Sequence, residues 1–252
     1  MYFCTFLDIG ASILLSIIDN KRMSRRNKLQ KFAEILTFPN VYENFDNYPP
    51  RLTGKGGVEI DLKGKWKTQH FKNDNPITLE LACGRGEYTV ALAEKYPDRN
   101  FIGVDIKGAR IWKGARIALE KELSNAAFLR TRIELITAFF EVGEIDEIWI
   151  TFPDPFLKKG KSNRRLTSSK FLNHYRKILK QDGLMHLKTD EGVLSEFTLE
   201  VLEADEKSKI LYQDTDIYAK PLPMEELEVK TYYENMHLKK GKTIKYIRFT
   251  IN

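Results

Sequence analysis

From Pro76 onward, short apolar runs alternate with longer stretches in which apolar side chains return every three to four positions. The runs are ITLELA at 77–82, NFIGVD at 100–105, AAFLR at 126–130, DEIWITF at 146–152 and GLMHLKTD at 183–190. Strands this continuously apolar belong to a parallel sheet covered on both faces. The intervening stretches predict helices over 86–95, 107–123, 133–140, 169–179 and 192–204, with Ile111, Ala115, Ala118 and Leu119 marking the buried stripe of the second. Ser168 is placed to cap the fourth helix, and Asp182 with Gly183 turns the chain into the fifth strand. A short strand at 209–212 and a last one at 243–250 bracket a less regular stretch. The pattern predicts an α/β protein with a doubly wound, mostly parallel, Rossmann-like sheet.

The segment before this alternation reads differently. Residues 23–75, rich in Asn, Lys and Tyr with Gly54, Gly56 and Gly57, predict an amino-terminal arm rather than a second core. Residues 1–18 form an apolar run broken by Asp8, without the basic start or small-residue cleavage site of a secretory signal and short for a membrane span. We expect residues 1–22 to be an upstream extension, Met23 to begin the functional chain, and residues 76–252 to form the catalytic domain.

Composition narrows the chemistry. Cys4 and Cys83 are the two cysteines, far apart, and the four histidines are scattered, so neither a disulfide framework nor a metal site is expected, and the cytoplasm is the expected compartment. Lys plus Arg number 41 against 35 Asp plus Glu, a formal net charge of +6. That excess points to a polyanionic partner without establishing one. No membrane partner is expected, and the oligomeric state stays open between a monomer and a small homo-oligomer.

Two strand ends carry the candidate cofactor site. The first run closes on Glu80-Leu81-Ala82-Cys83-Gly84-Arg85-Gly86, where Gly84 and Gly86 let the backbone approach a ligand and the following helix offers free N–H groups. The second run closes on Asp105, placed to accept from the ribose hydroxyls of an adenosine cofactor. The loop lacks the GxGxxG of dinucleotide sites, and Glu80 at its entrance suits a cationic ligand such as S-adenosylmethionine. Glu80, Asp105 and Asp154 are expected around one chamber.

The fourth run ends in Phe152-Pro153-Asp154-Pro155-Phe156, followed by a loop bearing Lys158, Lys159, Lys161, Arg164 and Arg165. Prolines on both sides of Asp154 fix its carboxylate. The basic residues are placed to meet phosphates, and Phe152 and Phe156 to stack on a base. Together FPDP with its downstream K…RR, the LELACGRGE loop, HLKTD ending at Asp190, and TYYE from Thr231 to Glu234 resemble the bacterial tRNA (guanine-N7)-methyltransferases from about Asn40 to the carboxyl terminus.

The resemblance implies a Rossmann-like methyltransferase sheet, S-adenosylmethionine as donor, and tRNA as substrate, modified at guanine 46 of the variable loop. It implies cofactor contacts at Glu80, Gly84, Gly86, Asp105 and Asp154, with Asp154 at the active centre. Lys158, Arg164, Asp190, Thr231 and Glu234 become substrate contacts. The chain departs from the family pattern at Ala82, where glycine is usual, at Arg130-Thr131-Arg132, where no adenine contact is assigned, and at Phe156, where Trp is usual. Asp154 has two open roles, orienting guanine through N1–H and N2–H or stabilising charge that develops on it. Two rivals remain: a methyltransferase of the same fold acting on a protein or small molecule, and a non-catalytic RNA-binding subunit.

Overall fold

A computed structural model describes residues 26–46 and 48–252; the expected extension at 1–22 and the start at Met23 lie outside the described residues. Ten strands form one sheet in the order β3-β2-β1-β6-β5-β4-β7-β8-β10-β9. The parallel centre comprises β4 (Ile77–Leu81), β5 (Asn100–Asp105), β6 (Ala126–Arg130), β7 (Ile145–Thr151) and β8 (Leu179–Thr189). At one margin β10 (Lys245–Ile251) runs antiparallel to β8 and to β9 (Ser208–Asp214). The strand order reverses between β4 and β7, which puts the expected ligand crevice at their carboxyl ends.

Helices cover both faces. On one side α2 (Glu87–Lys95) and α3 (Gly108–Glu120) bury Tyr88, Leu92, Ile111, Trp112 and Ala115. On the other, α4 (Ser169–Ile178) and α5 (Gly192–Glu203) bury Leu172, Tyr175, Leu194 and Leu202. The stretch expected as helix at 133–140 is a short, tighter 3-10 helix over Ile133–Ala138. Ser168 does stand at the start of α4, but its hydroxyl donates to the carbonyl of Asn163 instead of capping. The expected turn at Asp182 and Gly183 is a bulge inside β8: Leu179 pairs with Ile145 and Leu184 with Glu147, and Asp182 takes up the extra length at φ 59°.

Residues 26–75 extend this core. After α1 (Lys28–Ile35), β1 (Val41–Glu43) pairs in parallel with β6, and β2 (Leu52–Thr53) and β3 (Glu59–Ile60) continue the sheet outward. One π-type turn over Trp66–Phe71 then delivers Trp66, fully buried, onto the ring of Phe140 at 5.4 Å. Its indole N–H donates to the carbonyl of Phe139 at 2.9 Å. The less regular stretch of the sequence contains a further helix, α6 (Tyr232–Lys239), preceded by a strap that buries Ile217 and Leu227.

Candidate active site

Three residues near the reversal point hold left-handed backbone without being glycine: Ala82 (φ 58°), Phe152 (φ 47°) and Phe156 (φ 42°). The turns after β4 and β7 are therefore strained where they meet, a pattern typical of ligand sites. Position 82 is therefore one where glycine would relieve the backbone strain. Gly86 is required for packing, since a Cβ there would lie 2.4 Å from the Phe128 ring. At Gly84, by contrast, the nearest atom to an added Cβ is 4.0 Å away, so its backbone borders open space.

Between these turns lies a cleft of about 220 Å³ lined by Ala82, Asp105, Ile106, Asp154, Phe156 and Arg164, with Leu166 and Phe171 among its apolar walls. Asp105 is nearly buried; one oxygen accepts from the Gly84 N–H at 2.9 Å and the other from the Lys107 N–H at 2.8 Å. It thereby locks the glycine loop to the start of α3. Asp154 is exposed, and its Oδ1 accepts from the N–H of Phe156 at 3.1 Å. Among the described residues Oδ2 makes no hydrogen bond, so it stays available to a ligand.

Glu80 sits elsewhere. It lines a smaller cavity of about 60 Å³ on the far side of Ala82, with Gly84, Thr151, Phe152, Thr231 and Tyr233. The single chamber expected around residues 80, 105 and 154 is thus divided in two, with Ala82 bordering both parts. Glu80 is buried and accepts from the Thr89 N–H (2.9 Å), the Thr89 hydroxyl (2.5 Å) and the Thr151 hydroxyl (2.7 Å). Burial outweighs these bonds and pushes its carboxyl up to about 7. Among the described residues this buried carboxylate is served by hydroxyls and an amide and by no cation, so it is short of positive charge.

The basic loop divides as well. Lys158 and Arg164 are exposed, and the Arg164 guanidinium lies 5.4 Å from the centre of the Phe156 ring. Arg165 is buried and donates to the carbonyls of Pro155 (2.9 Å) and Phe156 (3.3 Å), so it braces the FPDP turn from within. Asp190 neither caps α5 nor stands free: its carboxylate is paired with Lys242 and lies 3.2 Å from the imidazole of His237. Thr231 begins α6, accepting from the Glu234 N–H at 3.2 Å while the Glu234 carboxylate accepts from the Thr231 N–H at 3.3 Å. Glu234 itself is fully buried, 2.8 Å from the ammonium of Lys188.

Several residues of this region escape a reading of the sequence. Thr89 and Thr151 serve Glu80, Lys188 serves Glu234, and Glu87 accepts from the Tyr232 N–H at 2.7 Å. A lysine or threonine within an apolar strand, as in HLKTD and IWITF, was the available signal, because a polar group buried there needs a partner.

The donor set fits a sulfonium nucleoside: a carboxylate at the second strand end, an open glycine backbone, apolar walls, and a buried carboxylate lacking a cation. These features, on this strand order, define a nucleoside-dependent group-transfer enzyme of the methyltransferase class. A family described as "Putative methyltransferase" matches residues 74–247. The tRNA (guanine-N(7)-)-methyltransferase of Christiangramia forsetii is 51% identical over 91% of this chain and 100% of its own length. That of Bacteroides thetaiotaomicron is 47% identical over 90% of this chain and 86% of its own length. Among solved structures, the 16S rRNA methyltransferase KamB superposes with a TM-score of 0.58 at 13% identity, covering 80% of this chain and 99% of that one. The chain belongs to the tRNA (guanine-N(7)-)-methyltransferase family. Among the described residues no side-chain cluster is placed to hold a metal, and no helix is long and apolar enough to cross a membrane.

Proposed function

We propose that the protein methylates N7 of a guanine in tRNA, at position 46 of the variable loop, with S-adenosylmethionine as donor. The observation that carries this reading is the shared cleft of Asp105 and Asp154 at the strand-order reversal, which the exposed Arg164 also lines, with Lys158 exposed on the same loop. Asp105 holds the ribose end and the open Gly84 backbone lies against the donor. Glu80 supplies negative charge behind the loop, toward the cationic amino-acid end. The donor brings an electrophilic methyl group on a sulfonium sulfur.

Guanine N7 bears an in-plane lone pair and no proton, so the reaction calls for alignment and for no general base. The purine becomes cationic as the bond forms. Asp154, fixed by the two prolines and the Phe156 N–H, presents its free oxygen where that charge develops. The same oxygen can accept from guanine N1–H and N2–H, which would also reject adenine. Lys158 and Arg164 meet phosphates at the rim, Phe156 offers a ring to a base, and Thr231 with Tyr233 closes the far side. Asp190 and Glu234 act through α6, which they hold in place. A free, buried Cys83 fits the reducing cytoplasm in which tRNA is modified.

The test is direct. Purified protein is incubated with methyl-labelled donor and unmodified tRNA, and the labelled nucleotide is mapped by nuclease digestion. Label at guanine 46, recovered as 7-methylguanosine, is expected. Label on another base or atom, or none, would sink the assignment.

A further inference from the structure

We infer that the buried Lys188–Glu234 pair is a positioning latch that sets the Thr231–Tyr233 turn at the mouth of the smaller cavity, so that Lys188 governs tRNA engagement without touching tRNA. The inference rests on the proposed reading of that turn as part of the substrate site.

Both charged groups are completely shielded from solvent, and their polar atoms are used up inside the protein. Lys188 donates to Glu234 at 2.8 Å and to the carbonyls of Leu227 and Val229 at 3.2 and 3.1 Å, which accounts for its three ammonium protons. Glu234 accepts from Lys188 and the Tyr218 hydroxyl (2.6 Å) on one oxygen and from the Thr231 N–H on the other. Nothing is left for a substrate. Glu234 therefore cannot contact RNA as the motif resemblance implies.

Burying an ion pair is a poor way to gain stability, since apolar residues of similar volume generally do as well. What a fully bonded pair supplies is a unique position. Lys188 stands directly opposite Thr151 across the β7–β8 pairing, and Thr151 donates to Glu80, so one end of the latch is rooted in the cofactor side of the sheet. The other end reaches the strap and the first turn of α6. That turn projects Thr231 and Tyr233 into the smaller cavity, and Arg85 lies 4.7 Å from the ring of Tyr232 beside it. Without the pair, the apolar contacts of Leu227 and Leu238 would still hold the segment down. They would not fix its register against Phe152.

The experiment replaces the pair by an apolar one, Lys188→Met with Glu234→Met, in the full chain. Three quantities are measured: melting temperature, donor affinity by calorimetry, and the KM for tRNA. The latch predicts a folded variant with a tRNA KM raised roughly tenfold or more, as expected when a contact segment is misplaced by about an ångström, and with a much smaller change in donor affinity. A folded variant with wild-type KM overturns the inference, because the pair would then be structural only. Tyr218→Phe removes the hydroxyl's bonds to Glu234 and to the Leu227 carbonyl and keeps the claim falsifiable should the double variant not fold. It should raise the tRNA KM by a few-fold and leave donor affinity alone, and an unchanged KM again overturns it. If the wild-type protein methylates no tRNA, the functional reading fails and the latch falls with it. If the wild type is active and the variants match it, the latch alone fails.

Discussion

Asp154 and Glu80 are both carboxylates at the reversal of strand order, yet their surroundings give them opposite duties. Asp154 is exposed, with one oxygen tied to a backbone N–H and the other free. Asp154→Ala should lower kcat by about a hundredfold, the cost of losing one preorganised electrostatic group, with the fold intact. Full residual turnover would remove Asp154 from the mechanism. Glu80 is buried, with its carboxyl pushed up to about 7 from 4.5. On raising the pH through that interval, the unfolded chain gives up the proton first, so the folded state binds more protons and its stability falls. Ligand-free protein should therefore lose on the order of 3 kcal/mol between about pH 4.5 and 7, relative to Glu80→Gln. A cationic donor favours the ionised form, so its affinity should climb over the same interval, with proton release visible by calorimetry in buffers of different ionisation heat. Parallel pH profiles for wild type and Glu80→Gln would refute this account. The sequence made both carboxylates visible as candidates. It hid their division between two cavities, because that depends on the left-handed kink at Ala82, which no residue type announces when glycine is absent.

At the scale of elements, the central strands and helices were legible because apolar character is continuous in one and periodic in the other. The departures have local causes. Helix α6 hid in a polar stretch with little apolar periodicity, although Thr231-x-x-Glu234 is itself a capping box and marks a helix start on its own. The Asp182–Gly183 dipeptide looks like a turn, and the sheet uses it as a bulge, since both arrangements need the same left-handed backbone. In the loop after β7, a run of basic residues concealed a split between the brace Arg165 and the exposed Lys158 and Arg164. Lys158→Ala and Arg164→Ala should each weaken tRNA binding and reduce the slope of log affinity against log salt by about one. Arg165→Ala should instead loosen the FPDP turn and lower kcat, with a salt slope like that of the wild type. Equal slopes in all three variants would count against this loop as the phosphate contact.

For the whole molecule, the main difference from the sequence reading concerns residues 26–75. Their polarity and glycines suggested an appendage, because the apolar residues that matter are few and widely spaced: Ile35 and Val41 in one core cluster, and Tyr42, Leu52, Leu62, Trp66 and Phe71 in the other. The last five are buried in the same cluster as Ile77, Leu79 and Leu129. The segment also covers the edge of β6, which would otherwise offer a parallel strand's unpaired backbone to solvent or to another chain. Next to the cleft, Glu43 on β1 pairs with Arg130 at 2.7 Å, directly before the cleft residues Thr131 and Arg132. The segment therefore contributes to stability and to the shape of the site together. Trp66→Ala, which removes the largest of these buried side chains and its bond to Phe139, should cost about 3–5 kcal/mol. A chain beginning at residue 74, where the family match starts, should fail outright: it loses three strands and leaves Phe140 without its Trp66 partner. Chemical denaturation of the first variant and the solubility and near-ultraviolet circular dichroism of the second provide the check. A truncated chain that melts cooperatively near the full-length temperature would show that β1 to β3, although paired into the sheet, contribute little to its stability.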